Sequence, residues 1–159
     1  MKPPVMPVDP GQIIIPLAKT NPLLLSDLHS RCFSEGDRWS RDSFTVMLKE
    51  PLVFGFTIMH REDAAGFILA RGVGGETEIL TLAVAPDWRH KGVAKRLMEA
   101  LFDHCKGQGF EEIYLEVAAD NLAARGLYHR YGFIETGRRA RYYANGTDAV
   151  LMKCTNLNK

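Results

Sequence analysis

The chain has 159 residues, 46% hydrophobic and 25% charged, with a formal net charge of +1. That length suits one domain with a genuine core, and the globular composition excludes disordered and collagen-like classes. The near-neutral charge argues against a surface tuned throughout to nucleic acid or anionic membrane, and no apolar run reaches the roughly 18 residues of a membrane span, so neither partner is expected.

Residues 1–11 hold four prolines and a glycine and no apolar signal core, so they read as an irregular lead-in. Ile13-Ile14-Ile15, bounded by Pro16, predicts a first strand. Pro22 suits the first turn of a helix running to about Cys32, with Leu24, Leu25, Leu28 and Cys32 as its buried stripe. Ser40 is placed to cap a second helix, Arg41 to Leu48, which Pro51 ends. Three strands at hairpin spacing follow, Leu52–Met59, Ala64–Val73 and Thr77–Val84.

After Pro86 the period changes from two to 3.6. Val93, Leu97, Met98, Leu101, Phe102 and Cys105 fall on one helix face, closed by Gly107 or Gly109. In Glu112–Val117, Ile113, Leu115 and Val117 alternate with Tyr114 and Glu116. Asn121 caps a helix whose Ala124, Leu127, Tyr128 and Tyr131 share a face, with Gly132 at its C′ position. Phe133–Tyr142 and Ala149–Lys153 complete the sheet around a turn at Asn145-Gly146. The order β-α-α-β-β-β-α-β-α-β-β predicts one α/β domain with a mixed sheet over residues 12–154 and a short tail at 155–159. Three cysteines, Cys32, Cys105 and Cys154, are odd in number and far apart, which suits reduced thiols in a cytoplasmic protein. The histidines share no metal-ligand spacing with them, so no metal is expected.

The segment from Leu82 to Lys95 carries the most chemical information. An apolar strand ends, a short turn crosses over, and a helix begins at Gly92 among basic residues. A helix N-terminus offers unpaired N–H groups and a positive dipole end to an anion. Gly92 permits close backbone approach, Ala94 keeps the next turn free of bulk, and Lys91 and Lys95 add charge or are simply solvated.

Arg89-His90-Lys91-Gly92-Val93-Ala94 resembles the Q/R-x-x-G-x-G/A pyrophosphate loop of the GCN5-related N-acetyltransferase (GNAT) superfamily. Leu115-Glu116-Val117, Asn121, Leu127-Tyr128 and Tyr131-Gly132-Phe133 resemble the second half of that fold. Within it the chain looks closest to the ribosomal-protein-alanine N-acetyltransferases. Trp39-Ser40, Arg139-Ala140-Arg141-Tyr142-Tyr143 and Gly146 to Met152 carry that nearer likeness, which spans Ile13 to Lys153. Gly126 departs from the family's usual alanine, at about 1 kcal/mol of helix stability.

The resemblance implies a central twisted mixed sheet flanked by helices, with acetyl-CoA as cosubstrate. Leu82, Ala83 and Val84 would offer main-chain groups to the pantetheine arm, which enters where the strand ending at Val84 splays from the one carrying Glu116. Arg89, His90, Lys91, Gly92, Val93, Ala94 and Lys95 would hold the pyrophosphate. Asn121 matches a cofactor-contacting position, a role compatible with capping its helix. Glu116 matches the general base, and Tyr128 the acid that protonates the leaving thiolate as well as a cofactor contact; a strand glutamate and a core tyrosine are the bland alternatives. A backbone N–H near Val84 would polarise the thioester carbonyl. Trp39 and Tyr142 would flank the acceptor or serve as core aromatics. The cysteines match no nucleophile position.

The chemistry requires a neutral amine. At pH 7 an α-amine is about 10–20% neutral and a lysine below about 0.1%, a gap of roughly 3.5 kcal/mol. A protein N-terminus therefore needs only a modest base, which favours transfer to a protein α-amine, with a ribosomal-protein alanine as the inherited acceptor. The other readings are an acetyltransferase for a small amine and a non-catalytic acyl-CoA sensor.

Overall fold

The computed structural model describes residues 11–33, 35–155 and 157. Most of the Pro-rich lead-in and of the short tail lies outside these residues. Seven strands form one mixed sheet in the order β1-β2-β3-β4-β5-β7-β6. The strands are β1 (Gln12–Pro16), β2 (Val53–His60), β3 (Asp63–Val73), β4 (Glu76–Val84), β5 (Glu112–Ala118), β6 (Ile134–Arg139) and β7 (Ala149–Cys154). All neighbours run antiparallel except β4 and β5, the one parallel pair.

Helices α1 (Pro22–Cys32) and α2 (Arg41–Lys49) cover one face. Asn21 caps α1 by accepting the Leu23 N–H at 2.9 Å, and Ser40 caps α2 by accepting the Ser43 N–H at 3.1 Å. Leu25, Leu28 and Phe44 pack from them onto Phe67, Leu69 and Ala83. Leu24 and Cys32 are only half-buried, and His29 completes the buried face of α1 instead.

The opposite face carries α3 (Val93–Gly107) and α4 (Leu122–Arg130). Leu97, Met98, Leu101 and Phe102 of α3 are buried against Ile68, Ile79, Ile113 and Leu115. Each fully buried side chain of this size contributes about 1.5–3 kcal/mol. The 3.6-residue spacing of these groups is why this segment is a helix, and Gly109 at φ 75° reverses the chain after it.

Two features differ from the sequence expectation. The sixth strand stops at Arg139, so Tyr142 lies in the following loop rather than in the strand. The alternation of Phe133–Tyr142 is broken there by Arg141 at φ 52°, a left-handed conformation that no ladder accommodates. In β4, Leu69 pairs with Thr81 and Ala70 with Ile79, leaving Leu80 as a bulge.

Candidate active site

The bulge precedes the feature that organises the site. The β4–β5 ladder runs from Glu76↔Glu112 only as far as Ile79↔Leu115. Beyond it β5 continues on β7, through Glu116↔Leu151 to Ala118↔Ala149, while β4 continues on β3 to Gly66↔Val84. The two central strands thus part, and a cleft of about 740 Å³ occupies the gap. Its walls include Leu82, Ala83, Val84, Cys32, Phe33 and, from α4, Ala124 and Leu127. The Ala85 N–H bonds the Ala65 carbonyl at 2.8 Å. By the alternation of an antiparallel ladder, Leu82 and Val84 turn their peptide groups the other way, into the gap. The Val84 carbonyl there accepts from the Cys32 thiol at 3.4 Å and from Arg89 Nε at 3.3 Å.

The same cleft is floored by the start of α3. Gly92 takes φ 81° and His90 φ 62°, two left-handed residues that turn the chain from β4 into the helix. The first amide to bond within the helix is Arg96, to the Gly92 carbonyl at 3.1 Å. The amides of Val93, Ala94 and Lys95 precede that bond and form the positive end of a 15-residue helix. Glycine at position 66 lets α3 start this close to the sheet, because a Cβ there would stand 2.7 Å from Val93 Cγ1. The Tyr131 hydroxyl donates to the Lys95 carbonyl at 3.2 Å, tying the end of α4 to the first turn of α3. Asn121 lines the cleft while its Oδ1 accepts the Ala124 N–H at 3.2 Å, so capping and cleft positions coincide.

A polar cluster lies where β5 leaves β4, on the α1/α2 side of the sheet. Arg71 pairs with Glu78, Glu78 with Tyr114, and Glu116 follows Tyr114 by two residues, so all four share one face. Arg139 Nε stands 3.0 Å from Glu116 Oε1. The charge of Glu116, followed by hydrogen bonding to its carboxylate, raises the Tyr142 phenol above its usual range. Tyr143 is pushed up to about 12 by burial, then by Glu116, Tyr142 and Asp37. Burial, followed by the charge of Glu116, raises the Glu78 carboxyl, with Arg71 and Arg139 opposing. Tyr128 is buried, its ring 5.6 Å from Phe133, and burial lifts its phenol far above the ordinary value with Tyr143 adding to the rise. It therefore stays a neutral donor throughout the physiological range.

Two loops meet beside this cluster. The Ala144 N–H donates to Asp37 Oδ1 at 3.3 Å, and Gly36 lies so close to Ala144 that a Cβ there would fall 2.5 Å from the alanine methyl. Behind them His29 accepts the Trp39 N–H on Nδ1 at 3.2 Å and stacks on Phe33, with centroids 4.1 Å apart. Trp39 also packs on Phe44 at 5.4 Å.

The cleft gathers every residue expected at the cofactor except Lys91 and Tyr128. Lys91 instead reaches over the Trp88 ring, 5.1 Å from its centroid, because the turn points it away from the gap. Tyr128 follows the cleft residue Leu127 on α4 but is itself buried, its ring 5.6 Å from Phe133 and its phenol under the influence of Tyr143 of the polar cluster. Of the expected acceptor aromatics, Tyr142 joins the Glu116 cluster, whereas Trp39 packs against the aromatic core of α1 and α2. Sequence reasoning passed over Cys32 on the cleft wall and Glu78 in the polar cluster, and it named Arg139 and Tyr143 only within the stretch that carries the nearer family likeness. Glu78 could have been found from its place directly before Ile79, where the apolar part of β4 begins; the pairing of Arg139 with Glu116 has no local signal. Among the described residues no group of His, Cys, Asp and Glu is arranged to hold a metal ion.

Comparison with known proteins agrees with this geometry. The chain is 32% identical over 117 residues to the [Ribosomal protein bS18]-alanine N-acetyltransferase of Escherichia coli K12, covering 72% of this chain and 78% of that one. It is 32% identical over 133 residues to N-alpha-acetyltransferase RimI of Mycobacterium tuberculosis, covering 80% and 82%. The crystal structure of the ribosomal-protein-S18-alanine N-acetyltransferase from Escherichia coli superposes with a TM-score of 0.81 at 28% identity, over 90% of this chain and 92% of that one. Residues 23–133 match the Acetyltransferase (GNAT) family, and the chain belongs to that family.

Proposed function

We propose that this chain, as one domain over residues 12–154, transfers the acetyl group of acetyl-CoA to the α-amine of a protein N-terminus by direct attack within a ternary complex. The parting of β4 from β5 carries the reading. It sets an anion-accepting helix start and main-chain groups unpaired with any strand on one side of a gap, and a carboxylate–tyrosine cluster on β5 just beyond the last β4–β5 pair. The pyrophosphate sits on the amides opening α3 near Arg89, His90 and Lys95, and the pantetheine arm runs along Leu82 to Val84 as an added strand would. An amide near Val84 polarises the thioester carbonyl. Glu116 takes the proton of the acceptor amine, directly or through water, and Tyr128, a neutral phenol, supplies one to the departing thiolate. Tyr142 and the loop contact between Asp37 and Ala144 border the acceptor's approach.

A ribosomal-protein alanine is the favoured acceptor, on the strength of the Escherichia coli relative whose name specifies that activity. Three cysteines, odd in number and far apart in the chain, suit the reducing cytosol. The test is release of free CoA from acetyl-CoA with an alanine-start peptide beside a panel of polyamines and amino sugars. Turnover of the peptide is expected; turnover of small amines alone refutes the acceptor, and acetyl-CoA binding with no turnover refutes the enzyme.

A further inference from the structure

The carboxylate assigned as base already holds a cation. Arg139, on edge strand β6, places its Nε 3.0 Å from Glu116 Oε1, and its guanidinium carbon lies 5.4 Å from the centre of the Tyr142 ring. The arginine side chain is 56% exposed and the glutamate 20% exposed, so the pair is open to solvent. An acceptor's α-ammonium brings the same charge and the same kind of N–H donors as a guanidinium, and one carboxylate cannot satisfy both without like-charge repulsion. Exposed ion pairs are weak enough to exchange. A second carboxylate waits on the same face: Glu78 pairs with Tyr114, two residues before Glu116, and its own cross-strand neighbour is Arg71.

We propose that Arg139 is a positioning residue that occupies and orients the Glu116 carboxylate in the unloaded enzyme and yields it to the acceptor's ammonium, moving toward Glu78. The inference rests on Glu116 acting as the base in the proposed transfer. It makes the acceptor compete with a built-in cation. A small charged amine end can displace the guanidinium, whereas an uncharged head brings nothing to replace it.

The groups facing this pair are Glu78 from β4, Arg71 from β3, Tyr114 from β5, Tyr142 and Tyr143 from the loop after β6 and, through Tyr143, Asp37. Arg139→Gln removes one positive charge from this set and leaves the others. The effect on an alanine-start peptide has a definite sign. At pH 8 the acceptor KM of Arg139→Gln falls about threefold, because the competitor is gone. Arg139→Lys keeps a cation beside Glu116 and keeps the wild-type KM, and the acetyl-CoA Kd of both variants is unchanged, since Arg139 is not part of the cleft. Removing a merely structural arginine would raise KM instead. A KM that does not fall overturns the inference while leaving the transfer reaction standing. A wild-type enzyme that binds acetyl-CoA but acetylates no amine removes the proposed function, and this inference with it.

Discussion

His29 is 1% exposed on α1, and burial pulls its imidazole from 6.5 down to about 4, with the charge of Asp37 opposing the fall. Its Nδ1 accepts the Trp39 N–H at 3.2 Å, so the neutral ring is the one the fold is built around. Between those two values the unfolded chain binds a proton that the folded chain refuses, so stability is fully present above pH 6.5 and falls as the pH drops toward 4. The slope approaches 1.36 kcal/mol per pH unit, and the whole interval amounts to about 3 kcal/mol. His29→Gln keeps an acceptor for the Trp39 amide and removes the titration. It loses about 1 kcal/mol at pH 7.5 with the ring stacking, but the difference between wild type and variant should shrink, then reverse, as the pH falls. Urea unfolding followed by tryptophan fluorescence at several pH values from 7.5 to 4 measures that difference, in which all other titrating groups cancel. A wild-type-minus-variant difference that is constant with pH would show that the buried imidazole does not set acid stability.

Three further predictions bear on the catalytic geometry. Tyr128→Phe should lower kcat by about a hundredfold with little change in the acetyl-CoA Kd, and an unchanged kcat removes its acid role. Glu116→Gln should depress the rate most at low pH, so a profile parallel to wild type leaves Glu116 a structural partner of Arg139. In Gly66→Ala the new methyl meets Val93 Cγ1 at 2.7 Å and the Ala83 carbonyl at 3.0 Å. About 1–3 kcal/mol of stability should be lost. Acetyl-CoA affinity should drop as the start of α3 is pushed from the sheet; adding Val93→Ala should restore both, and calorimetry that finds no restoration breaks the link.

The elements that announce themselves by period were legible in the chain. Helix α1 and strand β1 lie where Pro22 and Pro16 predict them, because prolines act within a few residues. The start of α3 was legible for a related reason: the turn from β4 into the helix needs a positive φ, and Gly92 takes it without a Cβ penalty. His29 was hidden because its one polar partner, the Trp39 amide, lies across a loop, and the stripe of leucines around it explains the helix without it. Arg139 and Glu116 stand on strands that touch different edges of β7, a pairing set by topology that no local pattern encodes. The bulge at Leu80 was equally silent, since Ile79-Leu80-Thr81-Leu82 reads as an unbroken apolar strand.

That bulge is what separates donor from acceptor. With one extra residue in β4, Thr81 pairs with Leu69 and falls on the α1/α2 face, the face that Glu78 already occupies. The alternation is therefore shifted beyond it, and Leu82 and Val84 come to face the α3 side, where both pack on the core beneath that helix. The parallel ladder with β5 ends at the same place, since an even register cannot be carried across an inserted residue. One backbone irregularity thereby opens the cleft, frees the peptide groups of Leu82 and Val84 from any neighbouring strand, and leaves Glu116 fixed on its other side by β7 alone. In the transfer proposed above, a donor thioester laid along β4 and an amine arriving at Glu116 approach the gap from opposite faces, and the sheet between them keeps the two reactants apart until they meet there.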